Sequence, residues 1–172
     1  MHDSREHKMY DAENYNNDAS VEGLWAVQTM HHCETYMNLI SSVDSRILKL
    51  SDRDDLILED FCKDFPNFEI SLVKEDHLKK PSAKVKWRTF CNRYKEEIKD
   101  FNQGLLIRLD CKKDYSEENT ILVTKIQFLA IEIARNREGL NLHFWKTKRK
   151  DELQEQTTTD ANNTDTSSDK NS

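Results

Sequence analysis

The sequence predicts an α+β domain that is predominantly helical, with about four helices, a short strand element, and disordered N- and C-terminal tails. Three observations predict it. Apolar residues recur at three- and four-residue spacing through most of residues 20–145, the period of a helix face. One stretch, F-E-I-S-L-V at 68–73, alternates apolar and polar residues as a half-buried strand does. The two ends, residues 1–19 and 151–172, contain almost nothing to bury and cannot offset the entropy of ordering a chain. The folded domain is therefore placed at 20–145, long enough to bury its own core. Residues 146–172 form a basic junction followed by a polar tail.

The first helix is expected over residues 20–42. Ala26, Met30, Cys33, Met37 and Ile40 make one stripe, and Ser20 suits the N-cap. A second helix is expected from Ser51, with Asp52, Asp54 and Asp55 in the first turn, where the helix dipole favours negative charge. Leu58, Phe61, Cys62 and Phe65 supply its buried side, and Pro66 ends it. The strand at 68–73 needs a partner, for which residues 47–50 and 105–109 both qualify.

A third helix follows Pro81-Ser82. Trp87, Phe90, Cys91, Tyr94, Ile98, Phe101, Leu105 and Leu109 continue one stripe, which favours a single helix over a break at Gly104 with residues 105–109 as a strand. The last helix is expected from Ser116, with Leu122, Ile126, Leu129 and Ile133 as its main stripe. Ile121, Phe128 and Ile131 widen that stripe, so this helix is central. Gly139 supplies the left-handed residue that commonly closes a helix.

Composition excludes several function classes. The net charge of −6 argues against direct, specific nucleic-acid binding, which usually shows a basic excess. The one basic cluster, K-T-K-R-K at 146–150, reads as a solvated boundary, with a ribosome or RNA adaptor as the competing reading. Only three glycines occur, Gly23, Gly104 and Gly139, so no phosphate- or dinucleotide-binding glycine loop can be built. No cofactor is expected. Cys33, Cys62, Cys91 and Cys111 are far apart with no C-x-x-C pair, as in a reduced cytoplasmic protein. Neither a signal peptide nor a membrane span is evident.

Chemical constellations are sparse. His31 and His32 are adjacent, so on a helix they point about 100° apart and do not chelate together. D-R-D-D at 52–55 contains a metal-type D-x-D but stands where a helix start wants acid. All cysteines except Cys111 fall on apolar stripes, where thiols are inert. No nucleophile, base and orienting group come together, so the protein reads as non-enzymatic. Trp87 belongs to the core, whereas Arg88 lies off the stripe, able to meet a partner. In the closing A-I-E-I-A-R-N-R-E-G, a Glu132–Arg135 pair is expected to be worth only about tenths of a kcal/mol. Arg137 lies in line with the buried stripe, with Asp110 as a candidate partner. The charged cluster is either an internal tie or a contact surface.

Several stretches together resemble one family. L-I-S-S-V-D (39–44), L-K-L (48–50), K-W-R-T-F-C (86–91), D-F-N-Q-G-L-L-I-R-L-D (100–110), Y-S-E-E-N-T-I (115–121) and K-I-Q-F-L-A-I-E-I-A-R-N-R-E-G (125–139) resemble the polysaccharide biosynthesis domain-containing protein 1 family. The resemblance spans about 21–141. It implies a cytoplasmic, ribosome-associated chaperone dedicated to nascent translation elongation factor 1-alpha. That chaperone protects the GTPase domain during synthesis beside the nascent polypeptide-associated complex. The family's name suggests the alternative, an enzyme or accessory protein of polysaccharide biosynthesis. Under the chaperone reading the candidate partner-binding residues are the polar groups at the ends of the apolar motifs. These are Arg88, Asn102, Arg108, Asp110, Glu118, Asn119, Arg135, Asn136, Arg137 and Glu138, some of which must be ties within the fold.

Overall fold

The computed structural model describes residues 19–164. The tail expected at 1–19 therefore lies, apart from Ala19, outside the described residues, as does the C-terminal end from 165. In chain order the elements are α1 (Ala19–Ser42), a 3-10 turn (Ser45–Ile47), α2 (Asp54–Asp64), α3 (Asp76–Lys79) and α4 (Pro81–Asn92). They are followed by β1 (Gly104–Arg108), β2 (Thr120–Thr124), α5 (Lys125–Arg137) and α6 (Leu142–Thr164). Among the described residues this makes six α-helices and one two-stranded antiparallel sheet, two helices more than the sequence predicts.

α5 is the axis of the molecule. Every residue from Ile126 to Asn136 is buried, because α2, α4, the 3-10 turn and both strands pack around it. Its start is set by a capping box. The Thr124 hydroxyl accepts from the Gln127 N–H at 3.3 Å, and Gln127 Oε1 accepts from the Thr124 N–H at 2.9 Å. Its end is a Schellman turn, as Gly139 predicts. The Leu140 N–H reaches the Arg135 carbonyl at 2.9 Å and the Gly139 N–H that of Asn136 at 3.1 Å, with Gly139 at φ +74°.

Two helix predictions are corrected. The third helix does not run on to Leu109: α4 stops at Asn92, and residues 104–108 form β1. Tyr94 and Ile98 remain buried but sit in turns, and Asp100, at φ +54°, adopts a left-handed backbone before the strand. The spacing misleads here because positions four apart also share a strand face. Phe101, Leu105 and Leu109 fit either period. The last helix likewise begins at Lys125, not Ser116, and T-I-L-V-T forms β2 ahead of it. The apolar alternation of Ile121 and Val123 stops at Lys125 because the strand ends there.

In register, Leu105 faces Val123, Leu106 faces Leu122 and Ile107 faces Ile121. The segment at 68–73 is not a full strand. It makes one bridge, Leu72 to Asp110, with Val73 N–H on the Leu109 carbonyl and Cys111 N–H on the Ser71 carbonyl. Of its two expected partners, the end of β1 is the one it meets.

Three smaller differences concern register. The buried line of α1 is Thr29, Cys33, Tyr36 and Ile40, whereas Met30 is 57% exposed. The helix is rotated to bring the Tyr36 hydroxyl to the centre. α2 starts at Asp54, whose carboxylate accepts from the Leu50 and Ser51 N–H groups at 2.8 and 2.7 Å, so the turn before it is already committed. Cys62 is exposed and Cys111 is buried, the reverse of the stripe reading. α6 continues to Thr164 through residues whose composition predicts disorder. No glycine or proline interrupts it, and Thr158 and Thr159 hydroxyls bond back to the carbonyls four residues earlier.

A second part of the core is aromatic. Trp87 stacks on Phe65 with ring centroids 4.1 Å apart, and Phe61, Phe68 and Phe90 meet it edge-on or stacked. The indole N–H donates to the His77 carbonyl at 3.0 Å, which ties α4 to α3.

Candidate functional site

The densest chemistry of the chain is the C-terminal half of α5, and the fold turns it inward. Glu132 lies between Ile131 and Ile133 on a helix with no solvent face, so its carboxylate must be satisfied inside. Arg135 Nη1 donates to Glu132 Oε1 at 2.7 Å, Arg108 Nη2 to Oε2 at 3.3 Å, Tyr36 Oη to Oε2 at 2.7 Å, and Asn141 Nδ2 to Oε2 at 2.9 Å. Both arginine side chains and the glutamate have zero exposure.

Most of the remaining donors are used as well. Arg135 reaches the carbonyls of Ile70, Arg108 and Leu109 at 2.7, 2.9 and 3.0 Å. Arg108 donates to the Cys111 carbonyl at 3.0 Å and to Asn141 Oδ1 at 2.7 Å. Its Nε is buried without an acceptor, and its guanidinium lies over the Phe144 ring at 5.1 Å. Asn136 donates to the Tyr36 hydroxyl at 3.2 Å and accepts from Asn141 at 2.7 Å. The network therefore ties α1, α5, β1, the 70–73 segment and the start of α6 together.

Electrostatics follow from that geometry. Burial pushes the Glu132 carboxyl up, but the two guanidinium groups and the Tyr36 hydrogen bond outweigh it and hold it at about 2. Burial, reinforced by the adjacent Glu132 charge, raises the Tyr36 hydroxyl well above the usual tyrosine value, so it stays a donor. Two guanidinium groups face one carboxylate, so the closed cluster keeps a net charge of +1, which the backbone carbonyls around Arg108 and Arg135 help to solvate.

The ten sequence-predicted residues separate accordingly. Arg108, Arg135 and Asn136 are internal ties. Asn119 is another, since its side chain holds the 110–114 loop through the Asp110 N–H and the carbonyls of Asp110 and Asp114. Asp110 caps the same loop by accepting from the Lys112 N–H at 2.9 Å. It is not the partner of Arg137, which instead pairs at the surface with Asp55 at 2.7 Å. The Glu132–Arg135 pair, expected to be a weak exposed one, is fully buried. Glu118 and Glu138 are exposed, in a turn and at the C-cap of α5.

Arg88 and Asn102 come together in a groove of about 170 Å³ between α4 and β2. Trp87, Cys91, Phe101, Leu122 and Val123 supply its apolar lining, and Lys79, Lys84 and Asn92 stand with Arg88 around it. Thr124 bridges it to Cys91 at 3.5 Å. Sequence reasoning missed Glu132, Tyr36 and Asn141 as the centre of the network. The legible signal was a lone carboxylate flanked by isoleucines on a helix with no polar face.

The three buried thiols are poor nucleophiles. Burial raises Cys33 and Cys91 each to about 11, and raises Cys111 too. Burial, aided by Lys125, lowers His32, which packs edge-on against Phe128 at 4.9 Å. Among the described residues no group of three or more His, Cys, Asp or Glu side chains is placed to hold a metal ion. Nor is any helix of the described residues long and apolar enough to cross a membrane.

Comparison with known proteins places this architecture. A family model described as PBDC1 protein matches residues 21–146. Protein PBDC1 of Homo sapiens is 52% identical over 130 residues, covering 76% of this chain and 56% of the human protein. The chain thus spans little more than half the length of that relative, and 65% of Protein PBDC1 of Mus musculus. The Schizosaccharomyces pombe homolog of Protein PBDC1 is 42% identical, over 76% of this chain and 92% of its own. A solution NMR structure of protein yst0336 from Saccharomyces cerevisiae is similar with a TM-score of 0.70 and 35% identity, covering 80% of this chain and 97% of that one. With the match running from the first turns of α1 through the α5 network into α6, the chain belongs to the PBDC1 protein family.

Proposed function

We propose that this protein is a non-enzymatic chaperone that holds the GTPase domain of newly made translation elongation factor 1-alpha, in the cytoplasm, at ribosomes beside the nascent polypeptide-associated complex. Family membership supports the class of client. The observation that carries the binding role is the exposed start of α1, within the family-matched region. Val21, Leu24, Val27 and Met30 are 41, 61, 68 and 57% exposed. Spaced three residues apart, they form one winding apolar band on turns that leave the packed body. Contiguous apolar surface of this kind marks a place another molecule covers. The closed α5 network supports the same reading, since its polar groups brace the scaffold and leave binding to other surfaces.

The test is recovery of nascent elongation factor 1-alpha with the tagged protein from a translating extract, using wild type and Leu24→Glu/Val27→Glu. The variant is expected to keep its thermal midpoint, because both side chains are already in water, and to lose at least tenfold of the recovered client. Failure of the wild type to recover the factor defeats the choice of client. Full recovery by the variant defeats the surface.

A further inference from the structure

We propose that the groove between α4 and β2 docks an extended, acidic segment of a partner protein, with Arg88 receiving a carboxylate and Asn102 the segment's backbone. Three independent features of the groove lead there. The first is charge. Lys79, Lys84 and Arg88 stand on its walls and none of the lining residues is acidic, in a chain whose net charge is −6. A basic concavity on an acidic protein selects and steers anionic partners.

The second feature is unused hydrogen-bonding capacity. Arg88 makes no hydrogen bond or ion pair with any described residue, and the side-chain amides of Asn92 and Asn102 make no hydrogen bond with one. Elsewhere the arginines of this domain are committed: Arg53 to Glu97, Arg93 to Asp64, Arg137 to Asp55. A guanidinium fork binds a carboxylate bidentately, and an amide matches the donor and acceptor of a peptide unit. These polar groups stand around an apolar floor centred on Trp87, the pattern of a recognition pocket.

The third feature is the strand edge. The bonds Lys125 N–H to the Gln103 carbonyl and Leu109 N–H to the Asn119 carbonyl flank the sheet register. They place the hydrogen-bonded pairs at 105–123 and 107–121, so Thr120, Leu122 and Thr124 direct their backbone groups away from β1. Among the described residues no strand lies on that side. Instead the Leu122 carbonyl accepts from Lys79 Nζ at 2.6 Å, and the Thr124 N–H donates to Gln127 Oε1 at 2.9 Å. With those two groups taken, an extended segment laid along this edge meets the outward backbone at Leu122 N–H and Thr120, and the side-chain pockets of the groove supply specificity. The assignment stands whether or not elongation factor 1-alpha is the client of α1.

The test is an NMR titration of the isotopically labelled full chain with a ten-residue peptide of alternating Glu and Ala, capped at both ends. The expected result is saturable shifts of the Asn92 and Asn102 side-chain amides and of the Trp87 indole N–H, weakened by salt. Affinity falls at least tenfold for the peptide with Gln in place of Glu, and for Arg88→Glu, whose thermal midpoint is unchanged because Arg88 is exposed. Asn102→Ala weakens the same titration. Absence of shifts at millimolar peptide, shifts confined to residues 146–150, or equal binding by Arg88→Glu overturns the proposal. An RNA oligomer of equal charge that moves the same signals as strongly overturns the assignment to a protein segment.

Discussion

Glu132 is a carboxylate that the fold can neither solvate nor discard. Removed from water with two guanidinium groups, it is stable only because each oxygen has several donors. Taking one charge away leaves the others uncompensated, so Glu132→Gln is expected to cost about 3–5 kcal/mol, read as a shift in the urea midpoint at neutral pH. The pH dependence has a defined sign. Its folded value, about 2, lies below the ordinary 4.5, so its contribution is fully present above about 4.5 and is lost as pH falls through about 2. That contribution is roughly 3 kcal/mol at neutral pH. Urea midpoints measured from pH 7 to 2 should fall with acid in that window, and the Gln variant should lack this component of the fall. Two arginines two residues apart behave oppositely. Arg135→Ala removes bonds to three carbonyls and a buried charge partner, for a loss of about 3–5 kcal/mol. Arg137→Ala removes one surface pair with an 80%-exposed Asp55, for less than about 1 kcal/mol.

At the scale of the element, α5 is positioned by its two ends. Thr124→Ala removes the hydroxyl of the capping box and is expected to cost about 1 kcal/mol in chemical denaturation, with Thr124→Ser close to wild type. Gly139 stands at φ +74°, and a Cβ there would find its nearest neighbour, Arg46 Cδ, at 3.6 Å. Space is available, so the expense of Gly139→Ala is conformational, about 1 kcal/mol, and Asn, which tolerates this backbone, should recover part of it. The elements also show what could be read in the chain. Helices α1 and α2, the Pro81 start of α4 and the Gly139 stop were legible from periodicity and end signals. β1 and β2 were not. Their apolar spacing satisfies a helix as well as a strand, and what decides between them is pairing across an intervening loop held by Asn119, information no local window contains.

For the whole molecule, the polar network and the aromatic cluster divide the labour of holding the helices around α5. α6 is anchored at its beginning, through Phe144 and through Asn141 in the turn just ahead of it, and every described side chain from 146 to 159 is exposed. Truncation after residue 150 is therefore expected to leave the thermal midpoint unchanged while lowering the far-UV helical signal, a combination circular dichroism can read directly.

By itself the sequence determined the helical bulk, the central place of the 126–133 stripe, the glycine that ends α5, and the family resemblance that the comparisons bear out. These rest on local propensity, short-range periodicity and motif identity, all written along the chain. Only the tertiary structure decided which polar residues face inward. Arg135 and Arg137 are near neighbours in sequence, yet one is sealed against Glu132 and the other pairs with Asp55 in water. A helix of α5's pattern does not settle which of its charges meets a partner from another element, because Tyr36, Arg108 and Asn141 arrive from 24 to 96 residues away or across the following turn. Burial of a charge is a property of the packed molecule, and Arg88, left in the groove with no partner among the described residues, stands out only against arginines such as Arg108, Arg135 and Arg137 that the fold has paired.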